Sequence, residues 1–230
     1  IRYSYRHKEN EFTDSFRRLD LANYRDYDIS NGQMIAIRSL NNQLISFQEN
    51  CINEHSIIER KATIDGDIGS IVIGQGDILA QQVRELSSYG IKHKGSLIEG
   101  EKGLYGISWS HRIIFRIEGA ETKGGGIRLG INQLSDNKFC SKWIYDLIDS
   151  YEQQTDVVSV FNDSPISGQG FSVGFDRKYN ELIFTYINGN DKKSLIFNEL
   201  LDEFICECTF NSPFYLSNNN DFFSIDYSNT

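Results

Sequence analysis

The chain has 230 residues, of which 39% are hydrophobic and 24% charged, so it can bury a sizeable core and is neither disordered nor collagen-like. Its mean hydropathy is -0.42, and no apolar run approaches the roughly 20 residues of a membrane-spanning helix. The formal net charge of -9 disfavours a sequence-specific nucleic-acid-binding protein, because such proteins carry a basic face.

Short apolar runs that end in polar turns predict antiparallel strands along most of the chain. The predicted strands cover residues 34–38, 43–48, 51–58, 103–107, 112–117, 171–175, 181–186, 194–197, 214–216 and 222–225. Asn41 and Asn42 form one predicted hairpin turn, and the run Asn-Gly-Asn-Asp at 188–191 is a strong signal for another. With 15 Phe and 12 Tyr against 2 Pro, the composition also favours β-structure.

Two stretches interrupt this pattern and predict short helices. Residues 77–89 place Ile78, Leu79, Val83 and Leu86 at helical spacing, between a capping Asp77 and a terminating Gly90. Residues 141–151 place Trp143, Ile144, Leu147, Ile148 and Tyr151 on one helical face. Glycine-rich connectors lie at 66–76 and 123–126, and Gly124–Gly126 is a candidate gating loop.

Four hairpins share a pattern of a polar residue, two apolar residues and then an aromatic or β-branched residue. Their first apolar positions are 44, 113, 182 and 222, at spacings of 69, 69 and 40 residues. Hairpins that recur every 40 to 50 residues or so are typical of propeller blades. We therefore expect residues 1–230 to be a mainly β segment of antiparallel four-stranded blades of a β-propeller. Two short helical insertions fall near 61–95 and 138–156, and the alternative fold is a β-sandwich.

The sequence offers no specific catalytic signature. Gly74 and Gly76 precede a predicted helix, but Leu79 stands where a dinucleotide fingerprint needs its third glycine. The carboxylate pairs of a glycosidase could come from Asp176 with Glu181, or from Asp202 with Glu203, although acids in turns are usually just solvated. No G-x-S-x-G motif occurs, so we expect no enzyme, no catalytic residue and no cofactor.

Four cysteines could bind metal or fill the core. Cys206 and Cys208 lie two apart in a predicted strand and share a face, whereas Cys51 and Cys140 are isolated. Zinc needs four ligands, usually in C-x2-4-C spacing, and the four histidines form no H-x3-H pair. We therefore predict reduced cysteines that fill the core and no metal site.

Basic and aromatic residues alternate in two N-terminal clusters that could suggest a nucleic-acid groove. The clusters are Arg2, Tyr3, Tyr5 and Arg6, and then Arg17, Arg18, Tyr24 and Arg25. At a net charge of -9, the favoured interpretation is strands with aromatic residues inward and charges outward. An acidic wall would instead suit a channel through which DNA slides without specific binding.

Several segments resemble the tail stabilization or muzzle proteins of crAss-like phages, and the resemblance covers most of residues 3–225. The segments that carry it are 24–27, 35–38, 42–50, 102–107, 175–184 and 196–199, followed by Phe204 and Phe210. The resemblance implies a structural virion protein with a β-propeller in a tail nozzle, and with no catalytic residues to assign. It also implies assembly in the bacterial host cytoplasm into a homo-oligomeric ring, expected to be a hexamer. The ring would lie below the portal and its adaptors, form part of the DNA ejection conduit and anchor neck or tail proteins, with no membrane partner.

The chain is shorter than is usual in that family, and its last predicted hairpin cannot close a propeller alone. We therefore expect an internal fragment, a cleavage product or a partner of a second chain, consistent with a start at Ile1. One alternative function is a receptor- or glycan-binding β-domain that uses exposed Trp109 or Tyr105. A weaker one is a propeller glycoside hydrolase.

Overall fold

The computed structural model shows a chain built mainly from antiparallel strands. It describes residues 1–4, 12, 14–21, 23–57, 79–121, 127–138, 140–154, 169–188, 191–218 and 221–225. The strands are β1 (Met34–Leu40), β2 (Gln43–Gln48), β3 (Ile52–Ile57), β4 (Leu79–Ser87), β5 (Leu97–Glu99), β6 (Leu104–Ser108), β7 (Ile113–Glu121), β8 (Ile127–Gln133), β9 (Gln169–Asp176), β10 (Glu181–Asn188), β11 (Asp191–Asn198), β12 (Glu203–Cys208), β13 (Phe214–Ser217) and β14 (Phe222–Ile225). The α-helices are α1 (Leu134–Asn137) and α2 (Ser141–Gln154), and short 3-10 turns span Ser15–Arg17, Ile29–Asn31 and Lys94–Ser96.

The strands form four sheets in strict chain order. Sheet I is β1-β2-β3-β4, sheet II is β5-β6-β7-β8, sheet III is β9-β10-β11-β12, and sheet IV is the pair β13-β14. The predicted mainly β fold with antiparallel four-stranded sheets is confirmed. The sheets do not close into a ring within the described residues, so the choice between a propeller and a sandwich stays a prediction.

The hairpins follow from turn chemistry. Asn41 and Asn42 adopt φ values of 51° and 62°, and Leu40 pairs with Gln43 directly across them. Positive φ at both central residues is what a type I′ turn requires, and asparagine tolerates it. Asn188 likewise pairs with Asp191 across two residues that lie outside the described part of the chain. Both predicted hairpins are confirmed.

The predicted helix at 77–89 is wrong, because the described part of this stretch is β4, the fourth strand of sheet I. β4 pairs with β3 through two register shifts, one of them between the pairs Ile52–Ser87 and Asn53–Glu85. A bulge places an extra residue in one strand, so apolar residues need not alternate strictly to reach the core. Leu86 lies in this irregular stretch and packs against the core, which explains the misleading helical spacing.

The second predicted helix is confirmed as α2, which follows sheet II. Ile144, Leu147 and Ile148 are buried, and Trp143 packs against the same cluster. The side chain of Tyr151, the fifth residue predicted for this face, lies outside the described side chains. The helix therefore covers the core with the predicted apolar face.

The predicted repeat holds for three of its four hairpins. Leu44, Leu182 and Phe222 lie at the start of β2, β10 and β14, each the second strand of its sheet. Ile113 instead opens β7, the third strand of sheet II, and the equivalent second strand begins at Leu104. The error arose because a sheet of successive hairpins repeats the same local pattern at each strand.

Two apolar clusters lie between successive sheets. The first joins sheets I and II, with residues such as Phe47, Ile52 and Phe115. The second joins sheets II and III and also takes up α2, with Tyr105, Ile107, Leu134, Ile144, Phe171, Phe175, Phe184 and Phe197 among its members. At the sheet ends, β5 contacts β9, β9 contacts β13, and β4 contacts β8. Each sheet therefore packs against the next one in the chain.

Candidate functional site: inter-sheet junctions and an exposed apolar face

Arg84 connects the outer strands of sheets I and II and also pairs with a buried glutamate within sheet I. Nε of Arg84 on β4 lies 2.6 Å from Oε2 of Glu54 on β3, whose side chain is 7% exposed. The same guanidinium donates a hydrogen bond of 2.5 Å to the carbonyl oxygen of Leu129 on β8. Arg84 therefore spans the junction and fixes the outer edges of the two sheets relative to each other.

Arg116 makes the corresponding tie between sheets II and III. Its side chain on β7 is 7% exposed, and its guanidinium lies 2.6 Å from Asp202 and 2.8 Å from Glu118. Lys138 approaches the second oxygen of Asp202 at 3.0 Å. Burial opposes both charges, but it is outweighed. Asp202, which accepts a hydrogen bond from Arg116, and then Tyr105 raise the pKa of Arg116, whereas Arg116 and Lys138 lower the pKa of Asp202.

A second contact at this junction holds the turn after β11. The buried carboxylate of Glu199 accepts hydrogen bonds of 3.0 and 3.1 Å from the backbone amides of Glu101 and Lys102, and Nζ of Lys102 donates to the carbonyl oxygen of Glu199. Gly100 permits this approach, because a Cβ there would lie 2.4 Å from the carboxylate. Burial raises the pKa of Tyr105 and the nearby carboxylate of Glu199 raises it further, so its phenol stays protonated.

Tyr215 makes the polar link between sheets III and IV. The hydroxyl of Tyr215 on β13 lies 2.5 Å from Oγ1 of Thr185, and the backbone amide of Ser212 donates to it at 3.1 Å. The hydroxyl of Ser172 on β9 donates to the carbonyl oxygen of Ser212 at 3.0 Å. The ring of Tyr215 lies over Gly174, where a Cβ would come within 2.5 Å of it.

Two histidines are buried within this framework. Nε2 of His55 lies 2.8 Å from the hydroxyl of Ser46, and Tyr27 approaches the same ring. Burial, then Arg25, lowers the pKa of His55 to about 4. Burial, then Lys92, also lowers the pKa of His93 to about 4. Both rings are neutral at pH 7.

The outer face of sheet IV is apolar and exposed. Phe214 pairs with Ile225 and Leu216 pairs with Phe223, so these four side chains point to the same side of the hairpin. They are 40%, 37%, 50% and 56% exposed, respectively. The opposite face carries Tyr215, which packs on sheet III. We call the exposed set the sheet IV face.

The structure shows successive β-sheets, side-chain contacts that join them and an exposed apolar face. This arrangement is more typical of a structural protein than of an enzyme active site. The family model described as Crassvirus muzzle protein matches residues 1–228. The chain belongs to this family. The resemblance found in the sequence is thereby confirmed. None of the curated proteins compared with the chain matches it.

Membership of the muzzle family makes the chain a structural protein of a bacteriophage virion, which favours a non-enzymatic role. Among the described helices, none is both long enough and apolar enough to cross a membrane.

In each of the two candidate carboxylate pairs, the aspartate makes a structural contact. Asp176 pairs with Glu181 at the end of the β9–β10 hairpin and accepts a hydrogen bond of 2.9 Å from the backbone amide of Lys178. Asp202 forms ion pairs with Arg116 and Lys138, whereas its neighbour Glu203 lies exposed at the start of β12. The structure therefore gives each of the two aspartates a local structural contact.

The two residues predicted for glycan binding differ in their exposure in the structure. Tyr105 is fully buried between sheets II and III, so its predicted exposure is wrong. The reason is that β6 is buried on both faces, since Leu104 to Ser108 are all buried, so neither strand register would expose Tyr105. Trp109 is partly buried against the same core, and Lys92 lies 5.2 Å above its ring. The pair does not form an exposed aromatic platform.

The prediction that cysteines fill the core holds for two of the four. Cys51 and Cys140 are buried, and burial raises the pKa of the Cys140 thiol to about 12. Cys206 is exposed and Cys208 is partly exposed, because β12 is the outer strand of sheet III. All four thiols are free, and within the described ranges no cluster of three or more His, Cys, Asp or Glu could hold a metal ion.

The remaining sequence candidates lie at the N-terminus or outside the described residues. Arg2 forms an isolated β-bridge with Tyr24, and the backbone amide of Tyr3 donates a hydrogen bond to the carbonyl oxygen of Asn23. Part of the basic–aromatic segment is therefore held by backbone pairing. Tyr5 and Arg6 lie outside the described residues. So do the glycine-rich connectors at 66–76 and 123–126, including Gly74, Gly76 and the candidate gate Gly124–Gly126.

Sequence reasoning missed Arg84, Arg116 and Glu199, the residues that tie the sheets. Their partners lie 45, 86 and 98 positions away in the chain, for Leu129, Asp202 and Glu101 respectively. A signal was nevertheless present for Arg116, which is a charged residue inside the apolar run of β7. A charge buried in a strand needs a partner, and this could have marked Arg116.

Proposed function

We propose that the chain forms part of the wall of the DNA ejection conduit in a phage tail nozzle. In this role it anchors portal-adaptor, neck or tail proteins and assembles in the host cytoplasm into a homo-oligomeric ring, expected to be a hexamer. This proposal makes the structural role that the muzzle family has in the virion more specific. Residues 1–230 then act as a β-propeller segment of that wall.

The observation that supports this proposal is the serial packing of the four sheets. An apolar cluster, a buried polar contact or both join each sheet to the next, through Arg84, Arg116 and Tyr215 in turn. The first strands of sheets II, III and IV contact one another in sequence. Such contacts are what the inner strands of neighbouring propeller blades make, and they suit a rigid wall.

The net charge of -9 agrees with a conduit that DNA passes without specific binding. Phosphate groups are repelled by acidic surfaces, so a duplex moves past such a wall without being held. No observation favours the glycan-binding alternative in the same way, since Tyr105 is buried.

The location of the protein in virions tests the proposal. Fab fragments raised against the purified chain are applied to intact phage particles, and the bound Fab is imaged by electron cryomicroscopy. We expect a ring of Fab density around the tail nozzle, and a Fab against the major capsid protein serves as the control. Density at fibre tips would support a receptor-binding role instead, and absence of the chain from purified virions would refute the proposal.

A further inference from the structure

Sheet IV has two strands, whereas sheets I, II and III have four strands each. Its first strand, β13, packs against β9, which is the first strand of sheet III. Within the described part of the chain, the second strand, β14, pairs only with β13. Sheet IV therefore corresponds to the first half of a complete sheet, and two further strands beside β14 would complete it.

The outer edge of β14 presents backbone groups to an incoming strand. At the turn of the hairpin, the backbone amide of Asn218 donates a hydrogen bond of 2.9 Å to the carbonyl oxygen of Asp221. Hydrogen-bonded and non-hydrogen-bonded pairs alternate along an antiparallel ladder, so the N–H and C=O groups of Phe222 and Ser224 point away from β13. A strand edge of this kind is a template for pairing with another strand.

The part of sheet III that such strands would cover is exposed. On the face toward sheet IV, Thr185 of β10 is fully buried and contacts Tyr215. Thr185 pairs with Ser194, so Ile196, two residues farther along β11, lies on the same face. Ile196 pairs with Cys206 of β12, and the first is partly exposed and the second exposed. Two strands beside β14 would extend sheet IV over these two residues.

The N-terminus supplies a pair of extended segments, residues 1–4 and 23–27, which we call the N-terminal ribbon. An isolated antiparallel β-bridge at Tyr24 joins the two segments. The main-chain nitrogens of Ile1 and Arg25 each donate a hydrogen bond of 2.7 Å to the carbonyl oxygen of the other residue. Since these two residues form a hydrogen-bonded pair, the N–H and C=O groups of Tyr24 point away from residues 1–4. The ribbon therefore has a strand edge that can pair with β14.

Two polar atoms of the N-terminal ribbon are buried without an acceptor among the described residues. They are Nδ2 of Asn23, a residue that is 5% exposed, and Nη1 of Arg25. Buried donors are normally hydrogen-bonded, so an acceptor is expected beside this part of the ribbon. The carbonyl oxygens on the outer edge of β14 are acceptors of the required kind.

The N-terminal ribbon lies on the face of sheet I that is turned away from sheet II. His55 pairs with Leu44 on this face, whereas Ile45 and Phe47 point toward sheet II. The hydroxyl of Tyr27 lies 3.2 Å from Nε2 of His55. The ribbon therefore covers sheet I where a preceding sheet in the series would lie.

We propose that β14 of one copy pairs with the N-terminal ribbon of a second copy, so that two chains together form a four-stranded sheet IV. Within one chain, the ribbon and β14 do not pair among the described residues, so the added strands come from another copy. Two different surfaces meet in this contact, so it is heterologous and generates a ring when its rotation closes. The inference rests on the proposed homo-oligomeric assembly and names the strands that build it.

Photo-crosslinking of the full chain tests this pairing. Benzoylphenylalanine replaces Tyr24, and unlabelled protein carrying it is mixed with ¹⁵N-labelled wild-type protein, irradiated and analysed by mass spectrometry. We expect crosslinks between unlabelled and labelled chains that end on residues 222–225. The matched control is the same probe at Tyr179, which is 57% exposed against 55% for Tyr24 and should give no crosslink there.

A proline at the edge of β14 gives a second test. Ser224→Pro removes an N–H group that points away from β13, and proline is tolerated at such positions of an edge strand. Ser224→Ala keeps this N–H group and is the matched control. In sedimentation velocity, Ser224→Pro should weaken self-association about tenfold or more, and Ser224→Ala should leave it unchanged. N-ethylmaleimide should modify Cys206 faster in Ser224→Pro than in the assembled wild type, because the added strands cover this thiol.

Three results would overturn the inference. They are crosslinks from Tyr24 to β14 of the same chain, the absence of intermolecular crosslinks to residues 222–225, and equal self-association of Ser224→Pro and Ser224→Ala. Crosslinking uses a chain with wild-type β14, so it decides the question even if Ser224→Pro fails to fold. Fab labelling of virions is independent of this contact, so a nozzle location without the crosslink refutes only the strand pairing.

Discussion

Individual residues set how closely the sheets approach one another, and Gly174 shows this most directly. A Cβ at this position would lie 2.5 Å from the ring of Tyr215 and 2.9 Å from that of Phe222. Both rings belong to sheet IV, so the absence of a side chain at Gly174 allows sheet IV to pack on β9. A methyl group there must push the two sheets apart.

Gly174→Ala is therefore expected to lower the free energy of unfolding by about 1–3 kcal/mol, the usual cost of overpacking a core. Gly130→Ala is the matched control in another strand, because nothing lies within 4 Å of the Cβ that it adds. Urea unfolding followed by tryptophan fluorescence measures both variants. Equal stability of the two variants would show that Gly174 does not set the spacing of the sheets.

A second property at the residue scale is the neutrality of buried His55. Its pKa is about 4 in the folded chain, against 6.5 for an unperturbed histidine. Between these two values the unfolded state binds the extra proton, so stability rises with pH from 4 to 6.5 and is lost as the pH falls. A pKa lowered from 6.5 to about 4 corresponds to roughly 3 kcal/mol.

Replacing His55 with glutamine should remove about half of the histidine-linked dependence, because glutamine does not titrate in this range whereas buried His93, whose pKa is also about 4, still does. Glutamine also keeps a hydrogen-bonding group for Ser46. The measurement is the slope of the unfolding free energy against pH between 4 and 6.5. His111→Gln, at an exposed position, should leave the slope as in the wild type. An unchanged slope in His55→Gln would mean that other groups dominate the acid sensitivity.

At the scale of elements, polar side-chain contacts between neighbouring sheets stabilise the position of one sheet relative to the next. Arg116 lies between Tyr105, Glu118 and Asp202, with its side chain 7% exposed. Removing a buried partner leaves charges without compensation, and this costs more than the pair itself contributes. Asp202 and Glu118 are partly exposed, so solvent reduces the cost below that of a fully buried pair.

We expect Arg116→Ala to destabilise the chain by about 2–3 kcal/mol, with the largest increase in amide hydrogen exchange at the junction of sheets II and III. Arg17→Ala is the comparison, because Arg17 pairs with Asp14 at the surface with 73% of its side chain exposed. That change should cost less than about 1 kcal/mol. If both variants lose the same stability, the tie contributes no more than a surface ion pair.

The elements also show which structural information is local. The Asn41–Asn42 hairpin and α2 were predictable, because a turn needs only its own residues and a helical face only its own spacing. β4 was mispredicted, since its bulged pairing with β3 outweighs a local helical pattern. The ties at Arg84 and Arg116 depend on partners far along the chain, and no local pattern identifies those partners.

At the scale of the molecule, the packing of each sheet on the next one accounts for both the stability of the chain and its exposed end. Sheets I, II and III each bury the face that is turned toward the next sheet in the chain. Sheet IV ends the described series with an apolar face that is exposed.

The whole-molecule charge leads to the last prediction. At a net charge of -9, the chain should not bind duplex DNA at physiological ionic strength. Fluorescence anisotropy of a labelled 30-base-pair duplex should stay constant up to roughly 10⁻⁴ M protein, the weak limit of ordinary non-specific binding. Lowering the salt concentration should not produce binding either, because reduced screening strengthens the repulsion between two negative partners. Binding that grows as salt is lowered would instead reveal a basic surface in contact with the duplex, and a wall that lets DNA slide past could not carry one.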